Sequence, residues 1–150
     1  MSHCEHGKGA LEQIELFLEL NIPIHKVTLS HTDKENDFGY HRQILSSGIN
    51  VEYDQSLRQS DLDAPPSALL MKAMVDEGFI DQIMLGTDGA RRSLWSSLGG
   101  SPGLAWLYSG WSKKLIKIGF TQAQLDTIFI DNPAKALTLD MPKSEITRGQ

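Results

Sequence analysis

The stretch KVTLSHTDKENDFGYHRQILSSGINVEYD, residues 26–54, decides the fold, because it holds two strand signals with a helix signal between them. Val27, Thr28 and Leu29 form a short β-branched run that polar residues close, and INVEYD (49–54) repeats that signal. Between them, TDKENDFGYHRQILSSG reads as a loop and then a helix that Gly48 terminates. Working outward, PPSALLMKAMVDEG (65–78) is a second helix with proline at its start and Gly78 at its end, and DQIMLGTD (81–88) is a further strand. Upstream, GALEQIELFLEL (9–20) sets Leu11, Ile14, Phe17 and Leu18 at helical spacing, with Glu12, Glu15 and Glu19 largely opposite. Helix and strand alternate, which predicts an α/β fold of about three parallel strands, near Val27, Val51 and Met84, joined by helical crossovers.

Beyond Asp88, GARRSLWSSLGGSPGLAWLYSGW (89–111) reads as an elaborated loop past the C-terminal end of the last strand. AWLYSGWSKKLIKIG is then a helix. Two short helices follow: one opens on a capping box from Thr121 to Gln124, and the other takes Asn132 as N-cap and Pro133 at its first position. The polar tail from about residue 140 is expected to fray.

The 150 residues suit a single domain. A net charge of −5 argues against a nucleic-acid surface, and no apolar stretch approaches the roughly 20 residues of a membrane span. The single Cys4 excludes an intramolecular disulfide, and the N-terminus shows no secretory signal, so a reducing, cytoplasmic setting is expected.

Candidate chemistry collects at the C-terminal strand ends, the rim where parallel α/β folds bind ligands. His31 ends one strand, Asp88 ends another, and His3 precedes the first helix, where a strand end belongs. Two imidazoles and a carboxylate suit zinc or a similar divalent ion, which can lower the pKa of a bound water to about 7. The same residues have plainer readings: His31 as a hydrogen-bonded surface residue, Asp88 as a turn aspartate or N-cap, and His3 and His6 as solvated. Lys34, Arg58, Arg91 and Arg92 either converge on an anion or are solvated loop charges. Tyr53 and Trp95 either line the pocket or pack its walls.

Read together and in order, HCEHGKGALEQIELF, residues 26–54, MLGTDGARRSLW and NPAKAL resemble the C-terminal part of the phosphotriesterase family of the amidohydrolase superfamily, from about His3 to Leu137. The resemblance implies the C-terminal portion of a (β/α)8 barrel and a metal-dependent hydrolase. In complete members two metals, bridged by a hydroxide, sit at the C-terminal rim. By position His3 and His31 would hold one metal. Asp88 would bind the other and take the proton as hydroxide attacks a phosphorus or a lactone carbonyl. Lys34, Arg58, Arg91 and Tyr53 would meet the substrate, and the ARRS and GG-x-PG stretches resemble lactonases, some of which act on sugar lactone phosphates.

The family's His-x-His pair and bridging residue lie upstream of anything in this chain, and three strands cannot close a barrel. The expected role is therefore a half-site of a lactone or phosphoester hydrolase. The alternatives are a non-catalytic assembly piece that pairs with a separately encoded N-terminal half or with itself, or a truncated relic.

Overall fold

The structure, a computed structural model, describes residues 1–139, so the expected fraying of the tail lies outside the described residues. Four strands form one parallel sheet in the order β1-β2-β3-β4: β1 Ser2–His3, β2 Thr28–Ser30, β3 Asn50–Tyr53 and β4 Ile83–Leu85. Among the described residues the sheet is open, with β1 and β4 each paired on one side only. The three predicted strands are present as β2, β3 and β4, and β1 is added to them. Two residues are too short to show a period in the sequence, and β1 exists because its backbone pairs with β2, Ser2 opposite Leu29 and His3 opposite Ser30.

Helices α1 (Ala10–Glu19), α2 (Phe38–Ser46) and α3 (Pro66–Asp76) are the crossovers. Local chemistry sets their ends. The Asp37 carboxylate accepts from the Tyr40 amide at the start of α2, and Pro66 opens α3 where no N–H is needed. Gly48 and Gly78 follow the last turns of α2 and α3 with φ of 86° and 95°, a region a β-carbon disfavours. The first amide of α1 is satisfied from a neighbouring helix, because the N–H of Ala10 donates to the Tyr40 hydroxyl at 2.9 Å.

Strand alternation divides the sheet's two faces. Leu29, Val51, Tyr53 and Ile83 pack against the helices and are fully buried with Ile44, Leu70, Met71 and Met74. Thr28, Ser30, Asn50, Glu52 and Met84 alternate with them on the other face. This division overturns one expectation. Tyr53 does not line a substrate pocket, because it shares the face of Val51, two residues before it. Its side chain is 0% exposed, and its hydroxyl donates to Nδ1 of the buried His41 at 2.7 Å. Nε2 of His41 then donates to the carbonyls of Thr32 and Glu35, at 3.1 and 2.9 Å.

The C-terminal helices also depart from the sequence reading. A π-turn (Leu107–Trp111) leads into α4 (Ser112–Ile118). Next, α5 (Gln122–Asp126), a second π-turn (Thr127–Asp131) and α6 (Asn132–Leu137) run on as one helical stretch. Thr121 and Gln124 form the expected capping box. Asn132 is not an N-cap: it has helical φ and ψ of −65° and −47°, and its side-chain amide donates to the carbonyls of Ile80 and Ile83 at 2.7 and 2.8 Å. Pro133 lacks an N–H, and the widened turn before it lets the helix continue through it.

Tyr53→Phe is expected to leave His41 Nδ1 buried without a donor and to cost about 1–3 kcal/mol, read from the urea unfolding midpoint. Burial holds His41 below its ordinary value, so the unfolded chain takes up this proton at higher pH than the folded one. The stabilisation by neutral His41 should therefore be present above about pH 6.5 and lost as the pH falls below it. Unfolding free energies at pH 7.5 and 5.5 should show that loss in the wild type and a smaller one in His41→Gln.

Candidate metal centre

Three of the four strands lead into a polar residue at the rim. His31 follows β2 with φ of 66°, Asp54 follows β3, and Asp88 lies three residues past β4 with φ of 39°. Positive φ at a residue other than glycine is costly and persists only where the surroundings hold it. Here they do. The Asp54 carboxylate accepts the backbone N–H of His31 at 3.0 Å and the side-chain amide of Gln55 at 2.6 Å. Beneath it, Asp33 accepts the backbone N–H groups of Asp54 and Gln55, each at 3.1 Å, and the hydroxyl of Ser67 at the start of α3. Burial and the neighbouring Asp54 carboxylate push the Asp33 carboxyl up to about 7, against the pull of those three donors.

One ligand atom each from His31, Asp54 and Asp88 falls within 4.8 Å of the others. Nδ1 of His31 lies 2.6 Å from Oδ2 of Asp54 but off the hydrogen-bonding direction, so this buried nitrogen has no hydrogen-bond partner among the described residues. A buried imidazole nitrogen without a hydrogen-bond partner beside two carboxylates fits a divalent cation. The side chains of His31, Asp54 and Asp88 are 16%, 2% and 14% exposed, which places the cluster just under the surface. Asp88 also faces two fixed cations, Arg58 Nη1 at 2.9 Å and Lys34 Nζ at 3.4 Å from Oδ2. One level down on the open face, burial, Asp54 and Asp88 together raise the Glu52 carboxyl above its ordinary value. Gly86 makes room for it, because a β-carbon there would collide with Oε1 of Glu52.

The structure brings His31, Asp88, Lys34 and Arg58 together. The ring of His3 lies 4.5 Å from that of His31, edge to face, but its Nε2 contacts Glu5 at 2.9 Å, and its side chain is 56% exposed. Arg91 is exposed, and no ion pair joins it to the cluster among the described residues. Trp95, 41% exposed, donates through its indole to the Gly89 carbonyl within the loop. Sequence reasoning missed Asp54, although it closes INVEYD at the same offset from its strand as His31, and it missed Asp33 beneath.

The sequence model of the Phosphotriesterase family matches residues 1–137. The chain belongs to that family. Among its relatives, the N-acetyltaurine hydrolase of Salmo salar is 30% identical over 148 residues, covering 91% of this chain and 42% of the relative. The Phosphotriesterase homology protein of Escherichia coli is 25% identical over 134 residues, covering 89% and 46%. In structure, a lactonase from Listeria monocytogenes superposes with a TM-score of 0.85 at 30% identity, covering 93% of this chain and 44% of that one. The chain thus spans less than half the length of these relatives, and the fold is a part of their barrel with four parallel strands, not closed.

Asp33→Ala is expected to leave two backbone N–H groups and a hydroxyl without their acceptor, at a cost of about 3 kcal/mol or more. Amide exchange should show Asp54 and Gln55 losing protection in this variant while Val51 keeps its own.

Proposed function

We propose that this chain carries the C-terminal half-site of a metal-dependent hydrolase that acts on an anionic lactone, with a phosphorylated sugar lactone as the preferred class. The observation that carries this reading is the unpartnered Nδ1 of His31 beside the carboxylates of Asp54 and Asp88, with Arg58 and Lys34 set at Asp88. His31, Asp54 and Asp88 would hold the ion, and His3 would join them by leaving Glu5. The ion, zinc or manganese, would polarise the carbonyl or phosphoryl oxygen under attack. Asp88 would take the proton from the attacking water, with Lys34 and Arg58 set at its carboxylate.

The two cations favour an anionic substrate over a neutral phosphotriester, because a guanidinium and an ammonium recognise phosphate with charge-assisted hydrogen bonds. Arg91, on the loop past Asp88, would meet the outer end of the same anion. Two relatives point the same way: one is named a phospho-furanose lactonase, in Mycoplasmopsis synoviae, and the Escherichia coli relative was crystallised with phosphate in its active site. Since the chain spans less than half of such relatives, full turnover is proposed to need ligands from a further polypeptide segment.

Calorimetry with zinc or manganese should show about one equivalent bound per chain, and His31→Ala and Asp88→Asn should each weaken binding about 10-fold or more. No binding by the wild type would overturn the metal reading. In the presence of an upstream half of the barrel, a phosphorylated sugar lactone should be hydrolysed and a neutral phosphotriester should not. Lys34→Ala and Arg58→Ala should raise KM for the phosphorylated lactone about 10-fold while leaving that for its unphosphorylated counterpart unchanged.

A further inference from the structure

One buried polar pair lies outside the metal cluster and against the turn that serves it. His41 stands one turn into α2, is 0% exposed, and reaches back over the loop that leads into the helix. Its Nε2 donates to the carbonyls of Thr32 and Glu35, at 3.1 and 2.9 Å. Those two carbonyls bracket Asp33, which ties down the amides of Asp54 and Gln55, and Lys34, whose Nζ stands 3.4 Å from Oδ2 of Asp88. Carbonyls only accept, so Nε2 carries the ring proton, and the Tyr53 hydroxyl 2.7 Å from Nδ1 fixes that tautomer from the other side of the ring.

The turn needs such a hold. Its own backbone bonds are two, from the amide of Lys34 to the carbonyl of His31 and from the amide of Glu35 to the carbonyl of Thr32, each at 3.1 Å. A single 3-10 turn (Thr32–Lys34) closed by bonds of that kind has little stiffness of its own. Opposite His41 it meets Gly7, where a β-carbon would collide with the nitrogen of Glu35 and the carbonyl oxygen of Thr32. The turn is therefore seated between a backbone with no side chain on one side and a single buried donor on the other. An aliphatic residue in place of His41 would fill the same space and serve neither carbonyl. We propose that His41 is a positioning residue of the rim: its Nε2–H fixes the turn at 32–35 and so holds the Lys34 ammonium at Asp88. An ammonium on a flexible stem stays where its backbone is kept, and a turn released from His41 would let it leave. The functional meaning rests on the reading of Lys34 as a contact to an anionic substrate, whereas the positioning itself rests on the hydrogen bonds of His41.

Two measurements on the full chain test the proposal. Long-range proton–nitrogen NMR of the wild type should show His41 as the Nε2–H tautomer with a slowly exchanging proton. The Nδ1–H tautomer would overturn the proposal without any substitution having been made. The second measurement reads Lys34, whose side chain is 27% exposed, by its rate of acetylation in the folded protein relative to that of the exposed Lys113. His41→Leu should raise the relative rate about 10-fold, and His41→Gln, whose amide nitrogen has the reach of Nε2, should return it close to the wild-type value. An unchanged rate in folded His41→Leu, or a rate in His41→Gln as high as in His41→Leu, would overturn the positioning. Inorganic phosphate separates this inference from the functional reading. Phosphate that slows Lys34 acetylation in the wild type and not in His41→Leu supports both. Phosphate without effect on a Lys34 that still follows His41 supports the positioning and counts against the anionic substrate.

Discussion

Everything at the rim depends on one buried carboxylate, that of Asp33. It lies just past β2, and it accepts two successive amides of the chain leaving β3 and a hydroxyl at the start of α3. A carboxylate in that position gathers three segments that share no sequence neighbourhood, and it does so from an almost water-free site where each unmade bond would cost its full desolvation. Asp54, held from below in this way, in turn fixes the amide of His31. The strand ends are thereby fastened to each other by side chains as well as by the ladder, whose β2 and β4 are only three residues long.

Charge at the rim is arranged around that fastening. Burial, and then the nearby Asp54 and Asp88, raise the Glu52 carboxyl below them, while Arg58 and Lys34 face Asp88 from the loop side. The result is a graded site, carboxylate-rich toward the sheet and cationic toward solvent. In the proposed function a cation would be drawn inward and an anion held at the mouth, the polarity that a metal-assisted hydrolase of an anionic substrate requires.

Much of this fold could be read from local signals. Helices α2 and α3 announce themselves by Asp37 or Pro66 at one end and by Gly48 or Gly78 at the other, because caps act within a few residues. What escaped was decided over longer distances. Strand β1 has no period to detect and exists by pairing with β2, and Asn132 reads as a cap before proline until the carbonyls of Ile80 and Ile83 claim its amide. In the site, His31 and Asp88 stood out as residue types at strand ends. Tyr53 was placed in the pocket although two-residue alternation puts it with Val51 in the core, and Asp54 was passed over as the end of a strand. Asp33 could not be read as central, since its partners lie 21 to 34 positions away along the chain.

The left-handed backbone at His31 and Asp88 has a consequence for how such a chain can drift under selection. Glycine would relieve both positions, so random change that favours robustness pulls toward a residue that has no side-chain donor atom to offer. An imidazole and a carboxylate at these two points therefore stand against a backbone preference for glycine, as a demand for their donor atoms would require. In a lineage released from that demand, these should be among the first residues of the rim to erode.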